Sequence, residues 1–427
     1  MAISRTNDNP EELKVWPEQV IGRKYVRLLE KYMQQLRGES EHGNRQLYLD
    51  DVFVAYLLAF FNPSIRSLRT IEDFSQTRQA QKHLSIRKIC KSTLSDFNKL
   101  ADPQRLEPIL RTLRDQLSRK QRGRGLPEND LQALLEHTVA VDGTFLPAVS
   151  EVTWAIANSN KHGAIRHRAR LDARLNVSTW LPEAIVVPDP GQSEADSAIE
   201  HLQAGRIYLY DRGYMSFALL RAHYKETETP QDAVAKSFFV VRYKQAGGNS
   251  PELNDAVDCP LTDADRSAGV ISDRVGYFTS EYACRAGISK VPLREVIVSY
   301  EEQGKTKTLR LITNLRNVSA KTIALLYRYR WQVELFFRWF KSFGNFGHLI
   351  SHGRDGVLTH LYVTIIAVLL MHLHTGYRPS KYMFALVGQV AMGAATLDEI
   401  MPILRERERQ CELARQSAAR RRAKKES

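Results

Sequence analysis

Residues 137–146 read HTVAVDGTFL and residues 206–217 read RIYLYDRGYMSF, and these two segments decide how the chain folds. Each is an apolar run rich in β-branched or aromatic residues, which is typical of a buried β-strand. Asp142 lies inside the first run, and Asp211 ends the second run directly before Arg-Gly. A buried aspartate is costly unless it is paired or binds a metal, so both side chains are candidates for chemistry. For Asp211 alone, a turn at the strand end is the alternative.

The segments around these aspartates predict three antiparallel strands followed by alternating helices and strands. After HTVAVDGTFL come the strands EVTWAIAN and IRHRARLDARLNV, a further apolar run EAIVVP, the helix SEADSAIEHL, the strand with Asp211, the helix SFALLRAHY and the strand SFFVVRY. This order of elements predicts the α/β class.

A third segment, residues 327–341, reads YRYRWQVELFFRWFK. On one α-helix, at about 100° per residue, Tyr327, Arg330, Glu334 and Lys341 fall within roughly 60° of one another. The opposite side carries apolar side chains at the 4-3-4 spacing of a core-packing helix, namely Tyr329, Val333, Phe336 and Phe340. We therefore predict one helix with a buried face and a polar face. A solvated face held by ion pairs at i,i+4 spacing is the alternative.

The three acidic residues in these segments form a candidate site for a hard cation, because every ligand atom of Asp142, Asp211 and Glu334 is an oxygen. These acids, the DGT and YDRGY motifs and the spacing Tyr-x2-Arg-x3-Glu-x6-Lys resemble the DDE transposases of bacterial insertion sequences. The resemblance is to the branch marked by that motif, insertion-sequence family four. It runs from about residue 130 to about residue 375, and more loosely over the helical region before it.

The resemblance implies a ribonuclease-H-like core that brings the strand of Asp142 beside the strand of Asp211. It implies Mg²⁺-dependent cut-and-paste transposition with two ions per active site, for which Mn²⁺ can substitute. Asp142 would bridge both ions, Asp211 would hold one, and Glu334 the other. Two such ions, about 3.5 to 4 Å apart, activate the attacking oxygen and stabilise the leaving oxygen. The implied partners are double-stranded DNA, as transposon ends and as target, and a second copy of the chain in a homodimer.

Members of this family use the Tyr, Arg and Lys of the motif to hold phosphates of the strand that is not transferred. The resemblance therefore assigns DNA contacts to Tyr327, Arg330 and Lys341, Arg by its planar fork and Lys as a point charge. Further candidates for DNA contact are Arg338 and, around the second and third strands, Asn160, Lys161, His162, Arg166, Arg168 and Arg170. For the strand residues, a solvated sheet edge is the alternative.

Five segments are predicted along the chain. They are a helical DNA-binding domain at 1–126, the first part of the ribonuclease-H-like core at 127–243, an inserted β-rich domain at 244–315, the last part of the core at 316–376, and a C-terminal helical region with a basic tail at 377–427. The short helices between Ser64 and Leu100 have the size of a helix-turn-helix, with a plain all-α interaction domain as the alternative. In the insertion, EEQGKT joins two strands as a hairpin.

In the family's β-rich insertion a tryptophan stacks on a flipped base. This chain has no Trp between Trp180 and Trp331. Tyr277, Phe278 and Tyr282 could substitute, but we predict that they belong to the core of the insertion.

The composition favours an anionic partner, since the formal net charge is +13 at pH 7 and the pI is about 9.5. Arg405–Ser427 holds nine Lys or Arg and four Glu, a net of +5, and a solvated helix is the alternative role for this tail. Four scattered cysteines without CxxC spacing predict a reducing cytoplasm, with the protein on the nucleoid. The apolar run LYVTIIAVLLM, residues 361–371, is too short to span a bilayer, so we predict a buried core helix and no membrane.

The sequence thus predicts a transposase that binds the ends of its insertion sequence, cuts them and joins them to target DNA. Two alternatives stay open. One is a metal-dependent DNA nuclease without strand transfer, and the other is a DNA-binding protein, descended from a transposase, that no longer catalyses. The three acids and the complete motif argue against the second alternative, because nothing structural demands that spacing.

Overall fold

In the computed structural model, the chain divides into two compact units, Met1–Gly123 with Trp339–Ser427, and Arg124–Arg338. The residues that the structure describes are 23–38, 47–61, 65, 67–78, 88–122, 130–147, 156–159, 165–189, 191–226, 233–244, 252–302, 304–343, 353–375, 382–383, 385–386, 389 and 394–426.

Fourteen α-helices lie within these residues. In chain order they are α1 (Arg23–Gly38), α2 (Leu49–Phe61), α3 (Leu68–Ser75), α4 (Lys91–Leu100), α5 (Glu107–Arg122), α6 (Asp130–Glu136), α7 (Glu194–Ile199), α8 (Phe217–Ala222), α9 (Asp263–Ser267), α10 (Glu281–Arg285), α11 (Ala320–Arg328), α12 (Trp331–Phe343), α13 (Arg354–Thr375) and α14 (Leu397–Glu426). Two 3₁₀ helices, Pro103–Leu106 and Arg212–Tyr214, complete the helical elements of the described ranges.

The first unit is helical, as predicted for the region before residue 126. Local capping explains several of the helix starts: Ser67 accepts a hydrogen bond from the Thr70 amide at 3.1 Å, and Asp102 accepts one from the Gln104 amide at 2.9 Å. The helices α1 to α5 confirm the predicted helical segments. Residues 79–87 of the candidate helix-turn-helix lie outside the described residues, so that motif stays a prediction.

The apolar run at 361–371 lies within α13, which is 22 residues long. By length and composition alone this helix could cross a membrane. Most of it is buried, however, because it packs against α2, α4, α5 and the 3₁₀ helix Pro103–Leu106. The predicted buried core helix is therefore confirmed. It extends beyond the apolar run at both ends, from Arg354 to Thr375.

The second unit contains one mixed sheet of ten strands, which confirms the predicted α/β class. The strands are β1 (Thr138–Pro147), β2 (Ile156–Ser159), β3 (Ile165–Asn176), β4 (Leu181–Val186), β5 (Ile207–Tyr210), β6 (Phe238–Tyr243), β7 (Asn254–Asp258), β8 (Val270–Tyr277), β9 (Leu293–Glu302) and β10 (Lys305–Thr313). Their order in the sheet is β2-β3-β1-β5-β6-β10-β9-β8-β7, and β4 pairs with β3. Strand β1 is antiparallel to β3 and parallel to β5, and β5 is parallel to β6.

Strands β7 to β10 come from the interval 244–315, which the sequence assigns to an inserted domain. The predicted hairpin is confirmed, since β9 and β10 pair from Glu302 with Lys305 onward. Strand β10 also pairs with β6, so these strands extend the same sheet. Phe278 is fully buried against Phe217, with ring centroids 5.3 Å apart, which confirms it as core. The prediction for Tyr282 is wrong, because this side chain is exposed on the short helix α10. The five-segment layout stays a prediction.

A buried hydrogen-bond network fixes Tyr210, the last residue of β5. The His223 ring lies 3.2 Å from the Tyr210 hydroxyl through Nε2 and 2.8 Å from the Ser237 hydroxyl through Nδ1. All three side chains are buried, and Tyr210 directly precedes Asp211. Burial, with a smaller effect of Lys236, lowers the pKa of His223 to about 3.

This network predicts a loss of stability in mild acid. Between pH 6.5 and about 3, the unfolded chain takes up a proton at His223 that the folded protein does not, so stability falls as the pH falls through this window. At pH 5 the loss amounts to about 2 kcal/mol relative to pH 8. Urea unfolding at both pH values measures the change in unfolding free energy, and this change should differ between wild type and His223→Gln by about the His223 contribution, because other titrating groups such as Asp142 contribute equally to both proteins. An equal difference in the two proteins would contradict the prediction.

Candidate active site

Asp142 and Asp211 lie at the same edge of two neighbouring strands. The parallel pairing of β1 and β5 runs from Thr138 with Ile207 to Val141 with Tyr210. Each aspartate is the next residue along its strand, and neighbouring strands lie about 5 Å apart. The predicted adjacency of the two aspartates is therefore confirmed.

Residues 327–341 do not form the single helix that was predicted. Helix α11 ends at Arg328 and α12 begins at Trp331. Between them, the amide of Tyr329 donates to the carbonyl of Leu326, and the amide of Arg330 to that of Tyr327, each at 3.0 Å. Hydrogen bonds to the third preceding residue wind the chain more tightly than an α-helix does. A single helical-wheel projection therefore does not describe the residues on both sides of this turn.

The apolar side of α12 matches its prediction. Val333, Phe336 and Phe340 are fully buried, and Phe336 packs edge-on against Trp180 with ring centroids 5.7 Å apart. This packing fixes the rotation of α12 within the second unit. Glu334, on another side of the helix, is left partly exposed.

Arg330 connects two of the three predicted catalytic acids. Its Nη2 donates to Glu334 Oε1 at 2.5 Å, and its Nη1 lies 3.7 Å from Asp142 Oδ2. The residue is buried, with 8% of its surface exposed, and its guanidinium lies 6.0 Å from the centre of the Tyr327 ring. The tight turn at Arg330 thus places Glu334 on the side of Asp142.

The carboxyl group of Asp142 is strongly perturbed by its surroundings. Burial raises its pKa to about 7, and Glu334 and Glu194 contribute in the same direction. Arg330 and the Gly143 amide, which donates to Oδ1 at 2.9 Å, act in the opposite direction. The surroundings therefore supply too little positive charge to keep Asp142 fully ionised at neutral pH.

Asp211 is more exposed and has two weaker contacts. The Tyr327 hydroxyl donates to its Oδ1 at 3.5 Å, and Nη1 of Arg242 lies 3.9 Å from the same oxygen. Arg242 lies on β6, next to β5, and 43% of its side chain is exposed. Sequence analysis missed Arg242, because its place beside Asp211 depends on the pairing of β5 with β6.

The other residues predicted to contact DNA divide into three groups. Arg338 and Lys341 are exposed on α12. Arg166 and Arg168 lie on β3, where the structure describes the backbone alone, and Asn160, Lys161 and His162 lie outside the described residues. The prediction for Arg170 is wrong, because this side chain is buried and pairs with Asp172 through Nε at 3.0 Å and Nη2 at 3.2 Å.

A fourth acidic residue, Glu194, lies at this edge of the sheet and was not predicted. Its pKa is raised by burial and by Asp172, with a further contribution from Asp211, while Arg170 lowers it. In the sequence, Ser193 followed by Asp196 resembles an ordinary helix cap, and Ser193 does accept a hydrogen bond from the Asp196 amide at 3.1 Å. That local pattern gave no signal that Glu194 would lie near the aspartates.

The carboxylate oxygens of Asp142, Asp211 and Glu334 suit Mg²⁺, because this ion prefers carboxylate ligands and keeps several water molecules. Among the described residues, no three Asp, Glu, His or Cys side chains lie close enough to hold a single ion. Pairs of carboxyl groups from Asp142, Asp211 and Glu334 would hold divalent cations without such a triplet. A divalent cation would also supply the positive charge that Asp142 lacks. The residues therefore fit the ions in their chemistry.

The sheet thus places two aspartates directly after the paired residues of adjacent parallel strands, and an arginine joins a glutamate to one of them, so oxygen donors gather on an α/β scaffold. Residues 134–370 match the family model of the Transposase DDE domain. The chain belongs to this family of transposases.

Curated relatives agree with this assignment. The chain is 26% identical over 236 residues to transposase-family protein y4zB of Sinorhizobium fredii, a match that covers 55% of this chain and 59% of the relative. It is 25% identical over 234 residues to the protein assigned as transposase to insertion sequence element IS5377 of Geobacillus stearothermophilus, covering 53% and 55%. These matches span little more than half the length of either relative.

A third relative, assigned as transposase to insertion sequence element IS4SA of Synechocystis, is 23% identical over 321 residues, which is 72% of this chain and 79% of the relative. The cryo-EM structure of the piggyBac transposase synaptic complex with hairpin DNA aligns with 92% of this chain and 81% of that one. The sequence identity is 11% and the TM-score is 0.39, and we infer nothing from so low a score.

Proposed function

We propose that this protein binds the ends of its own insertion sequence and moves it by cut-and-paste transposition. The observation that carries this proposal is the position of Asp142 and Asp211 at one edge of two adjacent parallel strands, in a chain of the DDE transposase family. Glu334 is linked to the same edge through Arg330. We further propose that the chain falls in the branch marked by the Tyr-x2-Arg-x3-Glu-x6-Lys motif, insertion-sequence family four.

The scaffold of this site is proposed to be a ribonuclease-H-like core. The order β3-β1-β5-β6, with β1 antiparallel to β3 and parallel to β5, supports this assignment. In the proposed layout, 127–243 and 316–376 form the core and 244–315 the β-rich insertion. The helical segment 1–126 binds DNA, and 377–427 carries the basic tail.

Asp142, Asp211 and Glu334 would hold two Mg²⁺ ions, or Mn²⁺ in their place. Ions at these positions would activate the attacking oxygen and stabilise the leaving oxygen. The protein positions the acids. The Gly143 amide holds Asp142, and the Tyr327 hydroxyl holds Asp211. Arg330 orients Asp142 and Glu334 against each other. Catalysis of this kind depends on placement and charge, with no covalent enzyme intermediate.

The proposed partners are double-stranded DNA, both as transposon ends and as target, and a second copy of the chain in the DNA complex. Tyr327, Arg330, Arg338 and Lys341 are proposed to contact DNA at the active site. Further proposed contacts are Arg166 and Arg168 on β3, and Lys161 and His162, which lie outside the described residues. The net charge of +13 supports an anionic partner of this size. The proposed location is the nucleoid in the cytoplasm.

One experiment separates this proposal from its alternatives. Purified full-length protein is incubated with Mg²⁺ and a DNA fragment that carries both ends of the element. Joined products support a transposase, cut products without joining indicate a nuclease, and bound but uncut DNA indicates a binding protein. Omitting Mg²⁺ from a parallel reaction should leave binding and remove both kinds of product.

The basic tail predicts how strongly salt weakens DNA binding. Helix α14 extends to Glu426, so Arg405–Ser427 presents its surplus charge on a helix. Each phosphate that is neutralised contributes about −0.9 to the slope of log affinity against log salt concentration. Deleting Arg405–Ser427 should make this slope less steep without changing which DNA ends are selected. Electrophoretic mobility shifts over a salt series measure both.

A charge variant controls for loss of the helix itself. This variant replaces Arg420, Arg421 and Arg422 by Gln. It removes three positive charges and retains residues that favour a helix, so it should reproduce part of the change in slope. If the deletion leaves the slope as in wild type, the tail is a solvated helix or contacts protein, and its proposed role in DNA binding is wrong.

A further inference from the structure

The carboxylate of Glu194 lies between two glycines that follow the proposed catalytic aspartates. A Cβ placed on Gly143 would lie 2.8 Å from Glu194 Oε1, and a Cβ placed on Gly213 would lie 3.1 Å from Oε2. One oxygen of Glu194 therefore faces the chain after Asp142, and the other faces the chain after Asp211. The absence of a side chain at both glycines leaves the room that this carboxylate fills.

A buried ion pair fixes the backbone that carries Glu194. Arg170 binds both oxygens of Asp172, and it also donates to the carbonyl oxygens of Gln192 at 2.6 Å and Ser193 at 3.2 Å. Asp172 lies on β3 directly opposite Gly143. The start of α7 is thus tied to the strand beside β1, and the position of Glu194 follows from the sheet itself.

The carboxylate of Glu194 has no directly bonded partner in the described chain, and the positive charge that acts on it comes from Arg170, which is already paired with Asp172. Within the part of the chain that the structure describes, no hydrogen bond or ion pair reaches its carboxylate, whereas Asp172 is matched by Arg170. Three acidic groups, Asp142, Asp172 and Asp211, interact electrostatically with Glu194, and Arg170 offsets only part of this repulsion, because burial and the carboxylates together raise the pKa of Glu194. A carboxylate placed among other carboxylates is unfavourable unless a cation offsets the repulsion.

We propose that Glu194 is a positioning residue of the active site, whose carboxylate fills the space between Gly143 and Gly213 and adds its charge to the attraction for a divalent cation at Asp142 and Asp211. This inference rests on the proposed function. It extends the three-acid site by one residue that acts through its neighbours.

Direct titration of the protein with Mn²⁺ tests the proposal without DNA or catalysis. The free ion is followed by electron paramagnetic resonance in full-length wild type, Glu194→Gln, Glu194→Asp and the control Glu200→Gln, which changes an exposed residue at the end of α7. Glu194→Gln should bind Mn²⁺ about tenfold more weakly, the size expected for one charge acting on a divalent ion over several ångströms. Glu194→Asp should recover most of the affinity, and Glu200→Gln should match wild type.

Asp142→Asn separates failure of this inference from failure of the proposed function. If Asp142→Asn weakens Mn²⁺ binding and Glu194→Gln does not, the role given to Glu194 is wrong and the three-acid site stands. If wild type binds no Mn²⁺, or if Asp142→Asn binds it as wild type does, the proposed metal site fails and this inference fails with it. Thermal unfolding followed by circular dichroism shows that each variant is folded. A weakening in Glu194→Gln that Glu194→Asp does not reverse also contradicts the role of its charge.

Discussion

Asp142→Asn, Asp211→Asn and Glu334→Gln should each lower the rate of DNA cleavage by roughly 10²- to 10³-fold or more, the loss typical when one charge-stabilising group is removed. The amide keeps the size of each side chain and loses the charge that a divalent cation requires. Binding of the transposon end stays within a few-fold of wild type, because a negative charge near the DNA is removed. Cleavage of an end-labelled fragment and a mobility shift on the same fragment measure the two effects.

Glu200→Gln is the matched control, since it removes an acidic charge from an exposed position outside the site. It should cut DNA as wild type does. Substantial Mg²⁺-dependent cutting by a purified variant would show that the substituted residue is not one of the catalytic acids. Loss of end binding in parallel with cutting would instead point to a folding defect.

The arrangement of β1 and β5 was predictable because it depends on local patterns. Alternating or continuous apolar runs identify buried strands, and the order of helices and strands around Asp142 and Asp211 limits which strands can be neighbours. The buried face of α12 was predictable for the same reason, since its apolar residues repeat at helical spacing. Local patterns therefore identified the two strands, and the resemblance to a ribonuclease-H-like core placed their aspartates side by side.

The turn at Tyr329 and Arg330 was not predictable from spacing. The residues on both sides continue a helical pattern, so an unbroken helix fits the sequence as well as two helices do. In the structure, the guanidinium of Arg330 contacts Asp142, a residue nearly two hundred positions earlier in the chain. Contacts of that kind decide local geometry and leave no mark on a helical wheel.

The surroundings of Glu194 were hidden for a related reason. Arg170 and Asp172 lie in a strongly basic strand, and a sequence of that kind favours an exposed, DNA-facing edge. The pairing of Gly143 with Asp172, and the hydrogen bonds of Arg170 to the chain before Glu194, turn the pair inward. Strand register across thirty residues determines this, and the sequence carries no local signal for it.

Arg330→Lys should slow every step of transposition by about 10²-fold, because small misplacements of reacting groups carry losses of this size. The planar guanidinium contacts Glu334 with one nitrogen and Asp142 with the other, whereas a lysine ammonium is a point charge that cannot bridge them in the same way. Arg328→Lys, at an exposed position two residues earlier, is the matched control and should behave as wild type.

Lys341→Ala should give a different pattern, because Lys341 is exposed two turns beyond Glu334 on α12 and has no part in orienting the acids. If it holds a phosphate of the strand that is not transferred, the first nick proceeds at a reduced rate and the later products fall much further. A time course on end-labelled DNA that resolves nicked, double-strand-cut and transferred species compares the two variants. Equal loss at every step in Lys341→Ala would contradict its role in holding DNA. A late defect confined to strand transfer in Arg330→Lys would show that the contact of this arginine with DNA, and not its orientation of the acids, is what the reaction requires.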